Sequence, residues 1–344
     1  MHALWLENQQ LSLREVPIPA PPPGEALIKA RLSGICGTDL ELVRGYYPYT
    51  GIIGHEFVGE VVEAPDASPF GDDAASLPGL AATCTCAGAG RAGSATWVGK
   101  RVVGEINAVC GECEQCKNGC PMHCEKRTVL GIINRDGVHA EYFTLPLANL
   151  HHVPDSVPDE AAVFTEPLAA ALEIQQQVHI HPTDRVLLIG AGRLGQLIAQ
   201  TLALTGSDLR VVARHPHQKA LLEARHIRLI AEDEIQPRRW DVVVEATGCG
   251  SGFDLARRAL RQRGTLVLKS TYKGEMSVNW SSIVVDEITI LGSRCGPFVP
   301  ALRLLANHAV DPSVLIAARF PLAKVLQAFE EAQKTGMLKV LVEV

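Results

Sequence analysis

The stretch RVLLIGAGRLGQLIAQ, residues 185–200, joins a short apolar run to a glycine pattern and an amphipathic run. Gly190, Gly192 and Gly195 follow the strand-like run in the order G-x-G-x-x-G, where the helical pattern begins. In such a turn the first glycine allows the tight bend, the second lets a pyrophosphate approach the backbone, and the third lets helix and strand pack closely. The helix N-terminus then attracts the phosphates with free N–H groups. The stretch therefore predicts a dinucleotide-binding unit.

The segments around this stretch divide the chain into two kinds of pattern. After residue 154, apolar runs such as LRVVAR, WDVVVEATG, GTLVLKS and ITILGS alternate with helical runs of about ten residues. Strands that are apolar throughout and separated by helices predict a doubly wound parallel sheet, covered on both faces. Before about residue 146, by contrast, short apolar segments are broken by proline and glycine, which predicts a β-rich domain.

The amino-acid composition argues against several classes of function. The 344 residues are 47% hydrophobic and 20% charged, with a formal net charge of −6, which is ordinary for a globular protein of two domains. No basic excess is present to recruit nucleic acid or anionic lipid. No apolar run approaches the roughly 18 residues of a membrane span, and no signal peptide is recognisable. We therefore expect a cytoplasmic protein that acts on small molecules.

A run of cysteines, AVCGECEQCKNGCPMHC at residues 108–124, suggests a metal lobe. Four thiolates on a short lobe can close a tetrahedral zinc site. An iron–sulfur cluster is the alternative, because Cys120 is followed by proline, as in the ferredoxin pattern. Disulfides are disfavoured by the cysteine spacing and by the expected compartment. The four cysteines of the C-x2-C-x2-C-x7-C spacing are Cys110, Cys113, Cys116 and Cys124.

Two shorter motifs lie upstream and contain a second set of metal-ligand types. GICGTDLE includes Cys36 and Thr38, and GHEFVGE includes His55 and Glu56. Sulfur, imidazole and carboxylate together form a catalytic zinc set that leaves one position open for substrate. Each residue taken singly also has an ordinary structural explanation, such as a small core cysteine or a capped turn.

The motifs GICGTD, GHEFVGEVVE, the cysteine run, EPLAAAL and GAGRLG, in this order, resemble the zinc-dependent medium-chain dehydrogenase/reductase family. The resemblance extends from about Leu4 to Val344 and is interrupted by a probable loop insertion at 65–96. It implies a GroES-like β catalytic domain that clasps a Rossmann domain. The implied boundaries are 1–165 with 296–344 for the catalytic domain, about 105–127 for its structural zinc lobe, and 166–295 for the Rossmann domain.

The resemblance also implies roles for individual residues. Cys36 and His55 match catalytic zinc ligands, Thr38 matches the hydroxyl that accepts the substrate's proton, and the four spaced cysteines match the ligands of a structural zinc. Glu56 and Glu166 are both candidates for a further ligand, and the choice between them stays open. Lys339 matches a basic residue that reaches the pyrophosphate. The residues assigned to the cofactor are Gly190, Gly192, Arg193, Leu194, Gly195, Arg214, Thr247 and Lys339.

The resemblance implies an oxidoreductase with two zinc ions per chain that interconverts an alcohol or polyol with its aldehyde or ketone, as a homodimer or homotetramer. Arg214 stands where NAD enzymes place an acidic residue after the second strand, so we predict that NADP is preferred and NAD is possible. One alternative is a non-catalytic zinc- and dinucleotide-binding redox sensor that uses Cys84, Cys86 and Cys120. The other is a zinc-free quinone or enoyl reductase of the same superfamily.

Overall fold

The computed structural model describes residues 1–65, 97–272 and 275–344. It divides into two compact units, Met1–Glu166 with Pro297–Val344 and Pro167–Gly296. The predicted loop insertion, with Cys84 and Cys86, lies outside the described residues except at Pro65. Among the described helices, none is long and apolar enough to cross a membrane.

Strands and helices are numbered along the chain. The strands are β1 (His2–Glu7), β2 (Gln10–Glu15), β3 (Glu25–Gly34), β4 (Gly51–Ile52), β5 (Glu56–Glu63), β6 (Arg101–Gly104), β7 (Asn107–Ala108), β8 (Thr128–Val129), β9 (Tyr142–Pro146), β10 (Leu150–His152), β11 (Arg185–Ile189), β12 (Asp208–Val212), β13 (Trp240–Glu245), β14 (Leu260–Leu268), β15 (Thr289–Gly292), β16 (Ile316–Pro321) and β17 (Lys339–Glu343). The helices are α1 (Gly37–Val43), α2 (Glu114–Lys117), α3 (Asp159–Ala162), α4 (Thr165–Gln177), α5 (Arg193–Ala203), α6 (Pro216–Glu223), α7 (Gly250–Ala259), α8 (Trp280–Val285), α9 (Phe298–Ala306) and α10 (Val325–Ala332).

The first unit is built on a mixed sheet with the order β10-β6-β5-β3-β17-β16, in which β9 also pairs with β3. The last strand of the chain, β17, pairs antiparallel with β3 and parallel with β16, so the C-terminal segment completes this sheet. A second sheet has the order β2-β1-β4. Buried side chains such as Phe57, Phe143 and Leu145 form a core beneath β3 and β5, and burial of each contributes roughly 1.5–3 kcal/mol.

The second unit is a parallel sheet with the order β12-β11-β13-β14-β15. A further parallel bridge joins Val211 of β12 to Leu229. Four of the five residues of β11 are buried, as expected for a strand that is covered on both faces. The predicted doubly wound parallel sheet is confirmed. Its chain order reverses between β11 and β13, and ligands of such sheets bind outside the carboxyl ends of the strands at that point.

Candidate active site and metal centres

Cys36, His55 and Glu56 come together because two antiparallel strands of the first unit end beside one another. In the register of β3 and β5, Gly34 stands opposite Glu56. Cys36 follows β3 and caps the N-terminus of α1, while His55 directly precedes β5. The ligand atoms of Cys36, His55 and Glu56 all lie within 4.8 Å of one another. Strand pairing thus assembles a mixed-ligand cluster, Cys36 with His55 and Glu56, from two separate sequence motifs.

The mixed-ligand cluster fits a zinc ion by its chemistry and its dimensions. Thiolate, imidazole and carboxylate are all zinc ligands, and three protein ligands leave a fourth position for substrate. Because zinc–ligand distances are about 2.0–2.3 Å, the ligands of one tetrahedral ion stand roughly 3.3–3.8 Å apart. The ligand atoms, which all lie within 4.8 Å of one another, would have to approach to this range to bind one ion.

Thr38 and Glu166, the other predicted residues of this centre, occupy different positions. Thr38 lies in the first turn of α1, with its hydroxyl oxygen 3.9 Å from the sulfur of Cys36. A substrate bound beside the sulfur would therefore meet a hydroxyl. Glu166 lies in the first turn of α4. Among the described residues, it is not part of the group whose ligand atoms share the 4.8 Å limit.

The structure places two further polar residues, Asp39 and His139, next to the mixed-ligand cluster. Asp39 is completely buried, and its carboxylate lies 3.2 Å from Nδ1 of His55 and 3.8 Å from Nε2 of His139. Ser33 and Nδ1 of His139 share a hydrogen bond of 2.9 Å. Burial opposes ionisation, yet His55 and His139 hold the pKa of Asp39 well below its usual range. The Asp39 carboxylate thus lies against the Nδ1 side of the His55 ring, a contact that would orient the ring and leave Nε2 for a metal.

Lys339 also reaches the mixed-ligand cluster. It is the first residue of β17, which lies beside β3, and its side chain is buried. Its ammonium group forms an ion pair with the carboxylate of Glu56 and lies 5.5 Å from the centre of the Phe164 ring. The family resemblance implies a pyrophosphate contact for Lys339. In the described residues its ammonium pairs with the carboxylate of Glu56, a candidate zinc ligand.

The four-cysteine cluster, Cys110 with Cys113, Cys116 and Cys124, lies in a small lobe around α2. The sulfur of Cys113 is 3.5 Å from that of Cys116 and 3.8 Å from that of Cys124, and the sulfur of Cys124 is 3.5 Å from that of Cys110. Zinc–sulfur bonds of about 2.3 Å predict sulfur separations of about 3.8 Å in a tetrahedral site, whereas a disulfide needs about 2.05 Å. The spacing of the sulfur atoms therefore fits one zinc ion.

The backbone of the lobe is arranged to stabilise thiolates. The N–H groups of Cys110 and Cys113 each lie 3.4 Å from a sulfur of the four-cysteine cluster, as donors. Backbone N–H groups lower the pKa of Cys113 to about 6, whereas burial and neighbouring sulfur atoms raise the pKa of Cys116 to about 12. Four thiolates therefore need a cation. Cys120 is exposed, with its sulfur 3.9 Å from a carbonyl oxygen, outside the cluster.

The glycine turn of the second unit has the local geometry that a dinucleotide requires. Gly190 has a φ of +105°, a conformation that favours glycine. A Cβ atom at Gly195 would lie 2.1 Å from the carbonyl oxygen of Gly190, so only glycine lets α5 pack this closely on β11. A Cβ atom at Gly192 would have no neighbour within 4 Å. Gly192 therefore leaves open space at the N-terminus of α5, where a pyrophosphate can approach the backbone.

The remaining residues assigned to the cofactor lie at the carboxyl edge of the same sheet. Arg193 and Leu194 open α5, and Thr247 follows β13. Arg214 follows β12, and its guanidinium lies 3.1 Å from the carboxylate of Glu232. Both partners of this ion pair are largely exposed to solvent. Sequence reasoning missed Glu232, because the acid lies beyond α6 rather than at the end of β12.

Comparisons with known proteins show similarity to dehydrogenases. The sequence profile of the alcohol dehydrogenase GroES-like domain matches residues 22–155. The chain is 31% identical over 343 residues to the erythritol/L-threitol dehydrogenase of Mycolicibacterium smegmatis, covering 91% of this chain and 88% of the relative.

Two solved structures are similar over the whole chain. One is a candidate zinc-binding dehydrogenase from Sinorhizobium meliloti 1021 bound to NADP, with 28% identity and a TM-score of 0.83. The other is described as a short chain alcohol dehydrogenase from Escherichia coli CFT073 complexed with NADH, again with 28% identity and a TM-score of 0.83. Each match covers 100% of this chain and 99% of the other.

Proposed function

The chain belongs to the zinc-dependent medium-chain dehydrogenase/reductase family, and we propose that it oxidises a polyol or related alcohol to a carbonyl compound with NAD(P) as acceptor. The resemblance predicted from the ordered motifs is confirmed, and so is the GroES-like fold of the first unit. The observation that carries the proposal is the mixed-ligand cluster, because it unites a zinc-binding donor set with the hydroxyl of Thr38.

The chemistry of the reaction is divided between bound groups and the chain. When bound, zinc makes a hydroxyl acidic at neutral pH, and the nicotinamide accepts a hydride. Cys36 and His55 would hold the metal, with Glu56 or Glu166 as the acidic ligand. The Thr38 hydroxyl would accept the proton of the substrate hydroxyl and release its own proton to water. Asp39, beside Nδ1 of His55, would leave Nε2 of that ring as the metal-binding nitrogen.

The ion pair with Lys339 determines how readily Glu56 can bind the metal. While the ion pair persists, the carboxylate of Glu56 is neutralised and is a weaker metal ligand. Glu166 would then be the alternative acidic ligand. The predicted contact of Lys339 with the pyrophosphate remains part of the proposal.

We propose two zinc ions per chain, one in the mixed-ligand cluster and one in the four-cysteine cluster. The separate donor sets support this stoichiometry, since one is mixed and the other is all sulfur. A zinc-free quinone or enoyl reductase would not need the mixed-ligand cluster. The redox-sensor alternative relies on Cys84 and Cys86, which lie outside the described residues, and on the exposed Cys120.

A substrate panel tests the proposed reaction. The purified protein is mixed with NAD or NADP and with short polyols, sugar alcohols, aldonates, simple alcohols and threonine, and the absorbance of reduced nicotinamide is followed. We expect the highest kcat/KM with a four- to six-carbon polyol or a related hydroxy acid, as the erythritol/L-threitol relative suggests. The proposal fails if no alcohol reduces either dinucleotide while quinones or enones are reduced.

We also propose that NADP is preferred to NAD, and Arg214 gives a test. A planar guanidinium suits a 2′-phosphate, and the exposed pair with Glu232 is weak enough to be exchanged for that phosphate. Arg214→Asp should raise the KM for NADP at least about tenfold and lower the KM for NAD, because charge-assisted bonds are worth roughly 1.5–3 kcal/mol. Initial rates with each dinucleotide provide the measurement.

Arg263→Asp is the matched control, because Arg263 is also an exposed arginine of the second unit, paired with Glu287 at 3.3 Å. The control should leave both KM values unchanged. Equal use of both dinucleotides by the unmodified protein, or an Arg214 variant with unchanged KM values, would remove this residue from the cofactor site.

A further inference from the structure

Glu245 is a fully buried carboxylate at the end of β13, 0% exposed to solvent. A buried carboxylate needs hydrogen-bond donors in place of water. One oxygen, Oε1, accepts hydrogen bonds from the backbone N–H of Thr247 at 2.6 Å, from that of Gly248 at 3.2 Å, and from the Thr247 hydroxyl. The other oxygen, Oε2, accepts a hydrogen bond from the phenol of Tyr272. These four donors are uncharged.

The donors come from two different loops at the carboxyl edge of the sheet. Thr247 and Gly248 follow β13, whereas Tyr272 follows β14. The carboxylate of Glu245 thus ties the two loops together, and we call this set of residues the Glu245 clamp. Burial and the adjacent carboxylate raise the pKa of Tyr272 above its usual value, so its hydroxyl stays protonated as a donor.

The Glu245 clamp lies directly against the glycine turn. The N–H of Ala246 donates to the carbonyl oxygen of Ile189 at 2.9 Å. A Cβ atom at Gly190 would lie 2.8 Å from the oxygen of Ala246 and 3.0 Å from the methyl carbon of Thr247. The loop after β13 therefore forms the second wall of the crevice between β11 and β13, where the chain order of the sheet reverses.

We propose that Glu245 and Tyr272 are positioning residues for the dinucleotide, which hold the loop of Thr247 and Gly248 in its binding conformation. This inference rests on the proposed dinucleotide binding. Neither side chain needs to touch the cofactor. Among the described residues, the phenol is the only donor to Oε2 of Glu245. Its removal leaves that oxygen without a partner there, and the loop must shift to bring it to water or to another donor.

Tyr272→Phe tests the proposal, with the dissociation constants of NAD and NADP measured by isothermal titration. We expect the constant to rise about tenfold for the preferred dinucleotide, since an unpaired buried acceptor is costly. With the best substrate of the panel, kcat at saturating dinucleotide should stay within about twofold, and zinc content should not change.

Glu245→Gln is the conservative variant. Its amide oxygen can still accept from Thr247 and Gly248, and its amide nitrogen can donate to the oxygen of Tyr272. We expect its dissociation constant to stay within about threefold of the unmodified value. A Gln variant that binds as weakly as the Tyr272→Phe variant would overturn the proposed hydrogen-bond arrangement.

Tyr49→Phe is the matched control, because the Tyr49 phenol donates to the carbonyl oxygens of Ile52 at 2.8 Å and Arg135 at 2.9 Å in the first unit. It should lower the unfolding temperature without changing dinucleotide affinity. If Tyr272→Phe behaves in the same way, the Glu245 clamp only stabilises the fold and the inference is wrong, although the proposed function survives. If the unmodified protein binds neither NAD nor NADP, both fail.

Discussion

Replacing Cys36 with serine should lower turnover by about a thousandfold or more while leaving dinucleotide affinity unchanged. An alcohol loses its proton far too rarely at neutral pH, and zinc can lower the pKa of bound water from 15.7 to about 7. Each pKa unit of such a shift is worth about 1.4 kcal/mol. Loss of one zinc ligand should therefore remove a large part of the rate acceleration. Initial rates, zinc content and dinucleotide titration measure the three quantities.

Cys120→Ser is the control for this substitution, because Cys120 is exposed and lies outside both metal clusters. It should retain full turnover and two zinc ions per chain. A Cys36→Ser variant that turns over at the rate of the unmodified protein would show that the mixed-ligand cluster does not take part in the reaction. Simultaneous loss of dinucleotide binding would point to misfolding instead, which circular dichroism would detect.

Replacing Cys113 with serine should remove one zinc ion per chain and lower the unfolding temperature by about 5 °C. Structural zinc contributes on the order of 10 kcal/mol or more in small zinc modules, and a lobe on a larger unit should experience part of that. A loss of about 3–5 kcal/mol corresponds to roughly 4–7 °C for a protein of this size. Thermal unfolding and metal analysis measure the two effects.

The comparison with Cys120→Ser tests the choice of ligands in the lobe. The two cysteines lie in the same short segment, yet only the sulfur of Cys113 is within 3.8 Å of other cluster sulfur atoms. We expect the Cys120 variant to unfold within about 1 °C of the unmodified protein, as usual for surface substitutions. Loss of zinc from the Cys120 variant but not from the Cys113 variant would show that the ligand set is wrong.

The second unit was predictable from the sequence because its signals are local. The glycine turn, the strand before it and the helix after it are contiguous, and the three glycines each have the geometry that their order predicts. The sheet order of the first unit was not predictable, since β3 pairs with β17 across almost the whole chain. Short strands without helices between them carry no local sign of their partners.

The same contrast between local signals and long-range contacts applies to the residues of the candidate sites. Cys36, His55 and the spaced cysteines stood out because their side-chain types are rare and their spacing is short. The pairs of Asp39 with His139, Glu56 with Lys339 and Glu245 with Tyr272 were missed as pairs. Each pair joins residues from separate segments of the chain, and ordinary acidic or basic residues give no signal until the fold places them in contact.

The most direct test of zinc-dependent turnover uses one protein sample. The rate of nicotinamide reduction is measured before chelation, after chelation and after zinc is restored. The best polyol of the panel and saturating dinucleotide are used throughout. We predict that chelation abolishes turnover while the protein still binds dinucleotide, and that added zinc restores the original rate. Undiminished turnover in protein shown by mass spectrometry to contain no metal would contradict it.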